Sequence, residues 1–202
     1  IDKDLSLLRA MFCDMVFAPS ANEIYANNIT SQAFNFDGLE HQMEGKFREG
    51  HFNGVGTIVK RLFEIVKPTK AYFGEKDFQQ LQIIRNMVKN HKVPVKIVGC
   101  DIYREEDGLA MSSRNARLTE SHRDAAPFIY KTLKEAKIKF GTKNALEVID
   151  WVENEFKKQP FLELEYFDIA DEETLQTIKN RNPKQKYRAF IAVFAGEIRL
   201  ID

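Results

Sequence analysis

The amino-acid sequence predicts an α/β fold in which part of a parallel sheet is followed by a small α+β domain. Three observations support this prediction. A short apolar run at 71–73 passes through a glycine turn directly into a helical pattern, and a second apolar run follows at 93–98. Strand, helix and strand in that order form one right-handed parallel unit. From residue 118 onward, two helical patterns precede three strand patterns, which is typical of helices packed on a largely antiparallel sheet.

The start of the chain is predicted as a helix, a short strand and a loop. Apolar residues recur at helical spacing through 5–11, and the apolar run 14–18 that ends at a proline predicts the strand. Residues 22–39 are rich in Asn, Ser and Asp and are mostly loop, with an apolar–polar alternation at 34–36 that would suit an edge strand.

The middle of the chain contains the parallel unit. An apolar stripe over 55–66 predicts a helix that stops before Pro68. The stripe is most simply explained as part of the hydrophobic core. The strand at 71–73 leads into a helix that reaches about Lys89. In the second strand, at 93–98, Pro94 indicates a strand start or a sheet edge.

The last third is predicted as two helices and three strands. Thr119 can cap a helix that ends by Gly141, and Thr142 can cap a second helix. Gly196-Glu197 is a hairpin turn between the last two strands. The strands are predicted at 162–169, 188–195 and 198–201. We place the boundary near 114–118, giving domains 1–116 and 117–202 with a cleft between them, and such clefts are common ligand sites.

Composition excludes several classes of function. Of 202 residues, 44% are hydrophobic, and thirty basic residues balance thirty acidic ones. This balance gives no overall attraction to nucleic acid or to an anionic membrane, so an anion site has to be local. Cys13 and Cys100 fit no zinc spacing, and the four histidines form no ligand pair, so no protein-held metal is expected.

The chain shows no sign of a membrane span. Its longest apolar run, 189–195, is far shorter than the ~20 residues that cross a bilayer, and no basic-then-apolar leader begins the sequence. These features indicate a cytoplasmic protein, although a removed N-terminus could have carried a targeting signal.

The turn Gly74-Glu75-Lys76-Asp77 is the first candidate site. It is predicted at the carboxyl end of a parallel strand, where backbone N–H groups and the dipole of the next helix attract a phosphate or a carboxylate. Lys76 would add a positive charge. An alternative is structural: Asp77 and Gln80 have the spacing of a capping box, Gly74 turns the chain, and Lys76 is a solvated surface lysine.

Two further stretches add cations and hydroxyls. Ser112, Ser113 and Arg114 follow an Asp-Gly turn, and hydroxyls beside an arginine suit the oxygens of a polyphosphate. The alternative is a Ser/Asn-rich turn that leads into the next helix. Upstream, His51 stands near Arg48 just before a helix and could help to bind an anion, but a lone histidine there is more often a cap or a surface residue.

Four segments in register resemble the pantothenate synthetase family, and the likeness runs from near Asp14 to Asp202. Members of that family also carry a His-x-Gly-His motif and an Asn-Pro-x-Gln-Phe segment in an N-terminal half, and neither occurs here. The chain is therefore expected to be a C-terminal portion of a longer protein. The matching segments are Phe17-Ala18-Pro19-Ser20 with Glu23-Ile24-Tyr25, the stretch 44–55, the stretch 74–81 and Leu109-Ala110-Met111-Ser112-Ser113-Arg114-Asn115.

The resemblance implies a fold, a reaction and partners. Residues 1–116 would be part of a Rossmann-like, nucleotidylyltransferase-like domain, and 117–202 a lid domain. The implied enzyme is a ligase of pantothenate and coenzyme A biosynthesis. It uses ATP and Mg²⁺ to join pantoate to β-alanine through a pantoyl adenylate, and it releases pyrophosphate and then AMP. A homodimer is expected, and this portion alone would have little or no activity, with an exposed sheet edge and an uncovered apolar face.

Site residues follow from the matching motifs. Arg48 is a candidate for the β-alanine side, His51 is counted with it among the substrate-binding residues, and Gln80 resembles the glutamine that holds pantoate. Lys76, Ser112, Ser113 and Arg114 resemble the catalytic groups around the phosphates. The ATP-binding set comprises Gly74, Glu75, Lys76, Asp77, Tyr103, Met111, Ser112, Ser113 and Arg114.

Two rival interpretations stay open at this point. Another adenylyl- or nucleotidyl-transferring enzyme of the same superfamily would share the lysine turn and the serine loop, but not Gln80 or the Arg48 region. A non-catalytic dimerisation or lid domain would bind nucleotide weakly or not at all.

Overall fold

The computed structural model describes residues 1–25 and 30–202, and the chain divides into two compact units, Ile1–Gln32 and Ala33–Asp202. The first unit contains α1 (Asp2–Ala10), as the sequence predicts, and α2 (Ala21–Tyr25), where a loop was expected. In front of α2, the carboxylate of Glu23 accepts hydrogen bonds from the backbone and the hydroxyl of Ser20, at 2.7 and 2.8 Å. This local cap explains why a short helix begins there.

The strand expected at 14–18 is wrong. These residues are irregular, because within the described part of the first unit there is no other strand to accept their backbone hydrogen bonds. The apolar side chains that suggested a strand are instead exposed to solvent: Met15 is 85% and Phe17 50% exposed. The part of the predicted loop at 26–29 lies outside the described residues.

The second unit begins with the predicted parallel arrangement. Helices α3 (Met43–Phe47) and α4 (His51–Val66) precede β1 (Lys70–Gly74), α5 (Phe78–Asn90) and β2 (Lys96–Cys100). Strands β1 and β2 pair in parallel, with Lys70 opposite Lys96 and Gly74 opposite Cys100, which confirms the strand–helix–strand unit. Strand β2 starts two residues after Pro94 because proline has no N–H to donate to a sheet.

The last part of the chain forms the predicted antiparallel sheet with helices. Helices α6 (Glu120–Ala125), α7 (Phe128–Phe140) and α8 (Ala145–Phe156) precede β3 (Glu163–Asp171), β4 (Tyr187–Ala195) and β5 (Ile198–Ile201). The sheet order is β3-β4-β5, both pairs being antiparallel, and Gly196 turns the last hairpin with a φ of 60°. The α/β parallel sheet followed by a small α+β sheet is thus confirmed.

Two helix boundaries differ from the sequence prediction. The single helix expected from 119 to 141 is two helices, because Pro127 cannot donate a backbone hydrogen bond between α6 and α7. Thr119 caps α6 as predicted. Thr142 does not cap α8; Asn144 does, and its side-chain oxygen accepts from the Glu147 N–H at 2.9 Å in a reciprocal capping box.

Two apolar cores hold the second unit together. One joins α6, α7 and α8 to the antiparallel sheet, and the other joins α4, α5 and the parallel pair to Phe190 of β4. Phe34 and Phe36, which were expected to suit an edge strand, belong to this second core and stack at 5.4 Å in an irregular segment. The domain boundary between residues 116 and 117 stays a prediction.

Candidate active site

A cavity of about 250 Å³ lies in the second unit at the carboxyl end of β1, where α5 begins. Its walls come from α3 and the start of α4, from the turn after β1, from the serine loop and from the residues at and beyond the end of β5. The structure brings seven of the predicted site residues together there: Arg48, His51, Lys76, Asp77, Gln80, Ser112 and Arg114.

The turn after β1 is a single 3-10 turn, Glu75–Asp77, that delivers the chain into α5. Asp77 occupies the cap position of α5, but its side chain makes no capping hydrogen bond, so the capping-box interpretation is wrong. The Asp77 carboxylate lines the cavity instead. The turn therefore places an acid and a base side by side at the start of a helix, where backbone N–H groups are also available to an anion.

Lys76 is half-buried, so the surface-lysine alternative is wrong as well. Burial lowers the pKa of Lys76 and the charge of Arg114 lowers it further, while Asp77 and Asp202 act in the opposite direction. An ammonium in this environment has lost part of its hydration without gaining a salt bridge within the described residues. A ligand carboxylate or phosphate would restore that lost interaction.

The serine loop is held on both sides. Before it, the Met111 N–H donates to the Tyr103 carbonyl at 2.9 Å, and Arg104 and Ala110 form an isolated antiparallel bridge. Within it, the Arg114 N–H donates to the Ser112 hydroxyl at 3.2 Å. These bonds direct Ser112 and Arg114 into the cavity wall.

Five predicted residues lie outside this cavity: Gly74, Glu75, Tyr103, Met111 and Ser113. Tyr103 and Met111 are paired through their backbones, and both side chains are mostly exposed. Ser113 is exposed at the tip of the loop. Glu75 pairs with Arg188 at 2.9 Å and lines an adjoining cavity of about 540 Å³, which Lys76 also lines.

Arg48 and His51 reach the cavity from the junction of α3 and α4. Gly50, with a φ of 70°, holds the cap position of α4, so His51 is not a cap. Burial lowers the pKa of His51, Arg48 lowers it further, and Glu44 and Asp77 oppose both. The imidazole is therefore kept neutral near physiological pH.

The sequence did not reveal a group of ionic and hydroxyl side chains at the cavity wall. Glu44 accepts two hydrogen bonds from Arg199, at 2.7 and 3.0 Å, and one from the Tyr166 hydroxyl at 2.9 Å. Arg199 also pairs with Glu165 at 2.6 Å. We call these four residues the Arg199 cluster. No local motif could have shown it, because Glu44 lies 122 residues from Tyr166 and 155 from Arg199 along the chain.

Two buried amides were also missed. Gln79 accepts from the Glu44 N–H at 3.0 Å and donates to the carbonyls of Leu39 and Gln42, so it holds the segment in front of α3. Gln79 and its neighbour Gln80 both line the cavity. Asn115 donates to Glu105 and to the Ala110 carbonyl, which fixes the end of the serine loop.

A larger and more open groove of about 640 Å³ lies beside Phe161. Its charged lining consists of one lysine and three glutamates: Lys157, Glu153, Glu163 and Glu165. This excess of negative charge does not suit an anionic ligand. The smaller cavity has a slight excess of positive charge, with four basic residues (Arg48, Lys76, Arg114 and Arg199) against three acidic ones (Glu44, Asp77 and Asp202).

Within residues 1–25 and 30–202, no group of three or more His, Cys, Asp or Glu side chains could hold a metal ion. No helix there is long and apolar enough to cross a membrane.

The fold and the site together define an α/β protein that presents cations and hydroxyls to an anionic ligand at the carboxyl end of a parallel strand. The sequence model of the pantoate-beta-alanine ligase family matches residues 1–202. The chain belongs to this family, and its expected likeness to pantothenate synthetases is confirmed.

Individual relatives agree with the family match. The pantothenate synthetase of Christiangramia forsetii is 55% identical over all of this chain and 72% of the relative, and that of Flavobacterium psychrophilum is 60% identical over 93% of this chain and 67% of the relative. The chain thus spans about 70% of the length of these proteins, as expected for a C-terminal portion.

Solved structures share the fold as well. The crystal structure of pantothenate synthetase from Thermus thermophilus superposes with a TM-score of 0.90 at 37% identity, over all of this chain and 72% of that one. The pantoate-beta-alanine ligase of Francisella tularensis, complexed with beta-gamma ATP and beta-alanine, has a TM-score of 0.78 at 31% identity, over all of this chain and 68% of that one.

Proposed function

We propose that this chain carries a large part of the active site of an ATP-dependent ligase that joins pantoate to β-alanine through a pantoyl adenylate. The observation that carries the proposal is the meeting of Lys76, Arg114 and Gln80 in one cavity from separate segments of the chain. The ligands of the Francisella tularensis relative, beta-gamma ATP and beta-alanine, support the choice of substrates.

In the first step, a carboxylate oxygen of pantoate attacks the α-phosphorus of ATP. The bond to the β-phosphate breaks, pyrophosphate leaves with the electron pair, and an acyl phosphate anhydride forms. Gln80 would hold pantoate, and the ammonium of Lys76 would lie between its carboxylate and the α-phosphate. Catalysis of this kind depends on placing the reactants in line and neutralising their oxygens, so no covalent nucleophile is needed from the protein.

Arg114 and Ser112 would contact the oxygens of the departing pyrophosphate, since a guanidinium binds two oxygens at once and stays charged. Mg²⁺ would be held chiefly by the phosphates, and when bound it would neutralise phosphate charge. Asp77, like Gly74, would contact the ribose of the nucleotide.

The nucleoside would lie beyond the cavity, along the paired backbones of Tyr103 and Met111 and beside Gly74 and Glu75. Ser113 stands exposed at the tip of the serine loop, where it would reach the phosphates when the loop closes on them. Because these residues are exposed, a nucleotide or another part of the protein has room to cover them.

In the second step, the amine of β-alanine attacks the carbonyl carbon of the adenylate, the amide bond forms, AMP leaves with the electron pair, and the nitrogen gives up one proton. Arg48 would bind the carboxylate of β-alanine. His51, whose pKa is lowered first by burial and then by Arg48, would be neutral and able to accept a hydrogen bond from the attacking amine.

Several further expectations belong to the same proposal. The complete protein would be a cytoplasmic homodimer, and residues 117–202 would act as a lid on a Rossmann-like domain that ends near 116. The portion described here would have little or no ligase activity alone, because part of the nucleotide-binding half is expected elsewhere in the protein.

The test is AMP release from magnesium-ATP with pantoate and β-alanine, measured for this chain and for the product of the complete reading frame. We expect activity only from the complete product. Exchange of pyrophosphate into ATP, with pantoate and without β-alanine, tests the adenylate. Exchange that is faster with another carboxylic acid than with pantoate would assign the site to a different adenylyl-transferring enzyme.

A further inference from the structure

The Arg199 cluster is almost closed to solvent, although every member is polar. The side chains of Arg199, Glu44 and Glu165 are 19%, 13% and 18% exposed. One guanidinium binds both carboxylates, and the Tyr166 hydroxyl donates to the same Glu44 oxygen that accepts from Arg199. Such a buried network adds little net stability, because desolvation of the ions offsets their attraction. Its position at the cavity wall therefore calls for another explanation.

The cluster stays charged over a wide range of pH. Burial alone would raise the pKa of Glu44, but the hydrogen bonds and charge of Arg199, together with Tyr166 and Arg48, lower it. Burial raises the pKa of Tyr166, and the adjacent Glu44 carboxylate raises it further, so the phenol remains a donor. The cluster is thus a fixed framework rather than a titrating switch.

On one side, this framework reaches the proposed amine site. The second Glu44 oxygen lies 3.8 Å from the Arg48 guanidinium. Arg48 follows Glu44 by one helical turn and stands at the end of α3. The Glu44 backbone is itself held by Gln79. Glu44 is therefore anchored through its backbone and its side chain, and it restricts where the Arg48 charge can lie.

On the other side, the framework reaches the proposed phosphate site. The Arg114 guanidinium donates to the backbone carbonyl of Arg199 at 2.9 Å. No salt bridge holds Arg114 within the described part of the chain, so this carbonyl is its principal fixed contact there. The side chain of Arg199 is held by two carboxylates, and its backbone pairs opposite Phe194 of β4, so side chain and carbonyl are both fixed on the strand.

We propose that Arg199 is a positioning residue that keeps the two halves of the active site in register. Its side chain sets Arg48 through Glu44, and its carbonyl sets Arg114. This inference rests on the proposed function. It adds that the acyl-adenylate step and the amine step both depend on Arg199, although no sequence motif connects the residues of the two steps.

The test uses the complete reading frame, with pyrophosphate exchange for the first step and the KM for β-alanine for the second. Arg199→Lys keeps one positive charge but cannot span two carboxylates with a planar fork. We expect exchange and kcat/KM for β-alanine each to fall roughly tenfold to a hundredfold, the range for loss of charge-assisted hydrogen bonds.

Tyr166→Phe separates the two halves. It removes the hydroxyl that donates to Glu44 but keeps the ring that stacks on Phe47 at 5.5 Å. We expect the KM for β-alanine to rise roughly threefold to tenfold, with pyrophosphate exchange unchanged, as for loss of one hydrogen bond. A purely structural role would not produce this split.

Arg61→Lys is the control, since Arg61 also pairs with a carboxylate, Glu64 on α4, but does not line the cavity. It should leave both steps unchanged at temperatures where the protein is folded. If Arg199→Lys behaves like Arg61→Lys, the inference is overturned. If the unsubstituted protein shows neither exchange nor AMP release, the proposed function falls, and this inference falls with it.

Discussion

The two sides of the cavity differ in how their charges are satisfied. On the amine side, Glu44 and Arg199 are saturated by short contacts and nearly closed to solvent. On the phosphate side, Lys76 and Arg114 form no salt bridge within the described residues, and burial lowers the pKa of Lys76. The difference shows two roles for charged residues. Charges paired within the protein hold the geometry of the site, and charges that form no salt bridge remain available to a ligand.

The largest expected effect comes from the least satisfied charge. Lys76→Ala in the complete protein should slow pyrophosphate exchange on the order of a hundredfold or more, since one preorganised donor is typically worth about 3 to 4 kcal/mol in the barrier. Lys76→Met, of similar length but uncharged, should lose the same activity without lowering the melting temperature, because the buried ammonium is itself unfavourable. Lys89→Ala, at the end of α5, is the control. Normal exchange in Lys76→Ala would remove this lysine from the mechanism.

Arg114→Ala should produce a loss of similar size in pyrophosphate exchange, again about a hundredfold. The side chain is exposed and held by one backbone carbonyl, so its removal should leave stability nearly unchanged. Arg117→Ala makes the same substitution in the adjacent 3-10 turn, outside the cavity, and should retain activity. Equal effects of the two variants would show that the loop's overall charge matters rather than the position of Arg114.

Asp77→Asn should have a smaller effect, and it now has a clear interpretation. Because the Asp77 side chain makes no capping hydrogen bond, the substitution should not lower the melting temperature. Loss of one charge-assisted hydrogen bond should weaken nucleotide binding roughly tenfold. Nucleotide affinity and melting temperature are measured on the same sample. A lower melting temperature with unchanged affinity would restore the capping interpretation.

The same contrast explains how much could be predicted from the sequence. The unsatisfied residues, Lys76 and Arg114, lie in short motifs next to strand and turn signals. Local spacing made them candidates, and the resemblance of four segments in register to one family favoured them over their structural alternatives. The supporting residues Glu44 and Arg199 meet only because β5 and α3 pack at one cavity, across 155 positions of the chain. Periodicity cannot report such a contact, since it describes one element at a time.

The fold shows the same limit. The parallel unit was predictable because strand, turn and helix follow each other directly, and the terminal hairpin because Gly196 marks its turn. The strand expected at 14–18 failed because its apolar pattern says nothing about whether a pairing partner is present. The break at Pro127 could have been predicted from that residue's missing N–H, but the sequence prediction followed the apolar stripe, which continues on both sides of the proline.

The smallest expected effect is a change in the pH dependence of stability on the saturated side. Burial acts to raise the pKa of Glu44, but Arg199 brings it below its ordinary value of 4.5. The unfolded chain therefore binds a proton at this position more readily than the folded one. Stability from this group is therefore fully present above about pH 4.5 and is lost as pH falls toward the folded-state pKa. Glu44→Gln lacks this titration.

The Glu44→Gln variant should be less stable than the original protein near pH 7, and the gap in unfolding free energy should narrow as pH falls below about 4.5. Urea unfolding at a series of pH values measures the gap, and Glu64→Gln, at an exposed position of α4, controls for the general loss of one carboxylate. A gap that stays constant would mean that Glu44 is held by packing and not by its charge. The charges of the amine side would then not hold that side in place, and its contrast with the phosphate side, whose charges are unpaired among the described residues, would fail.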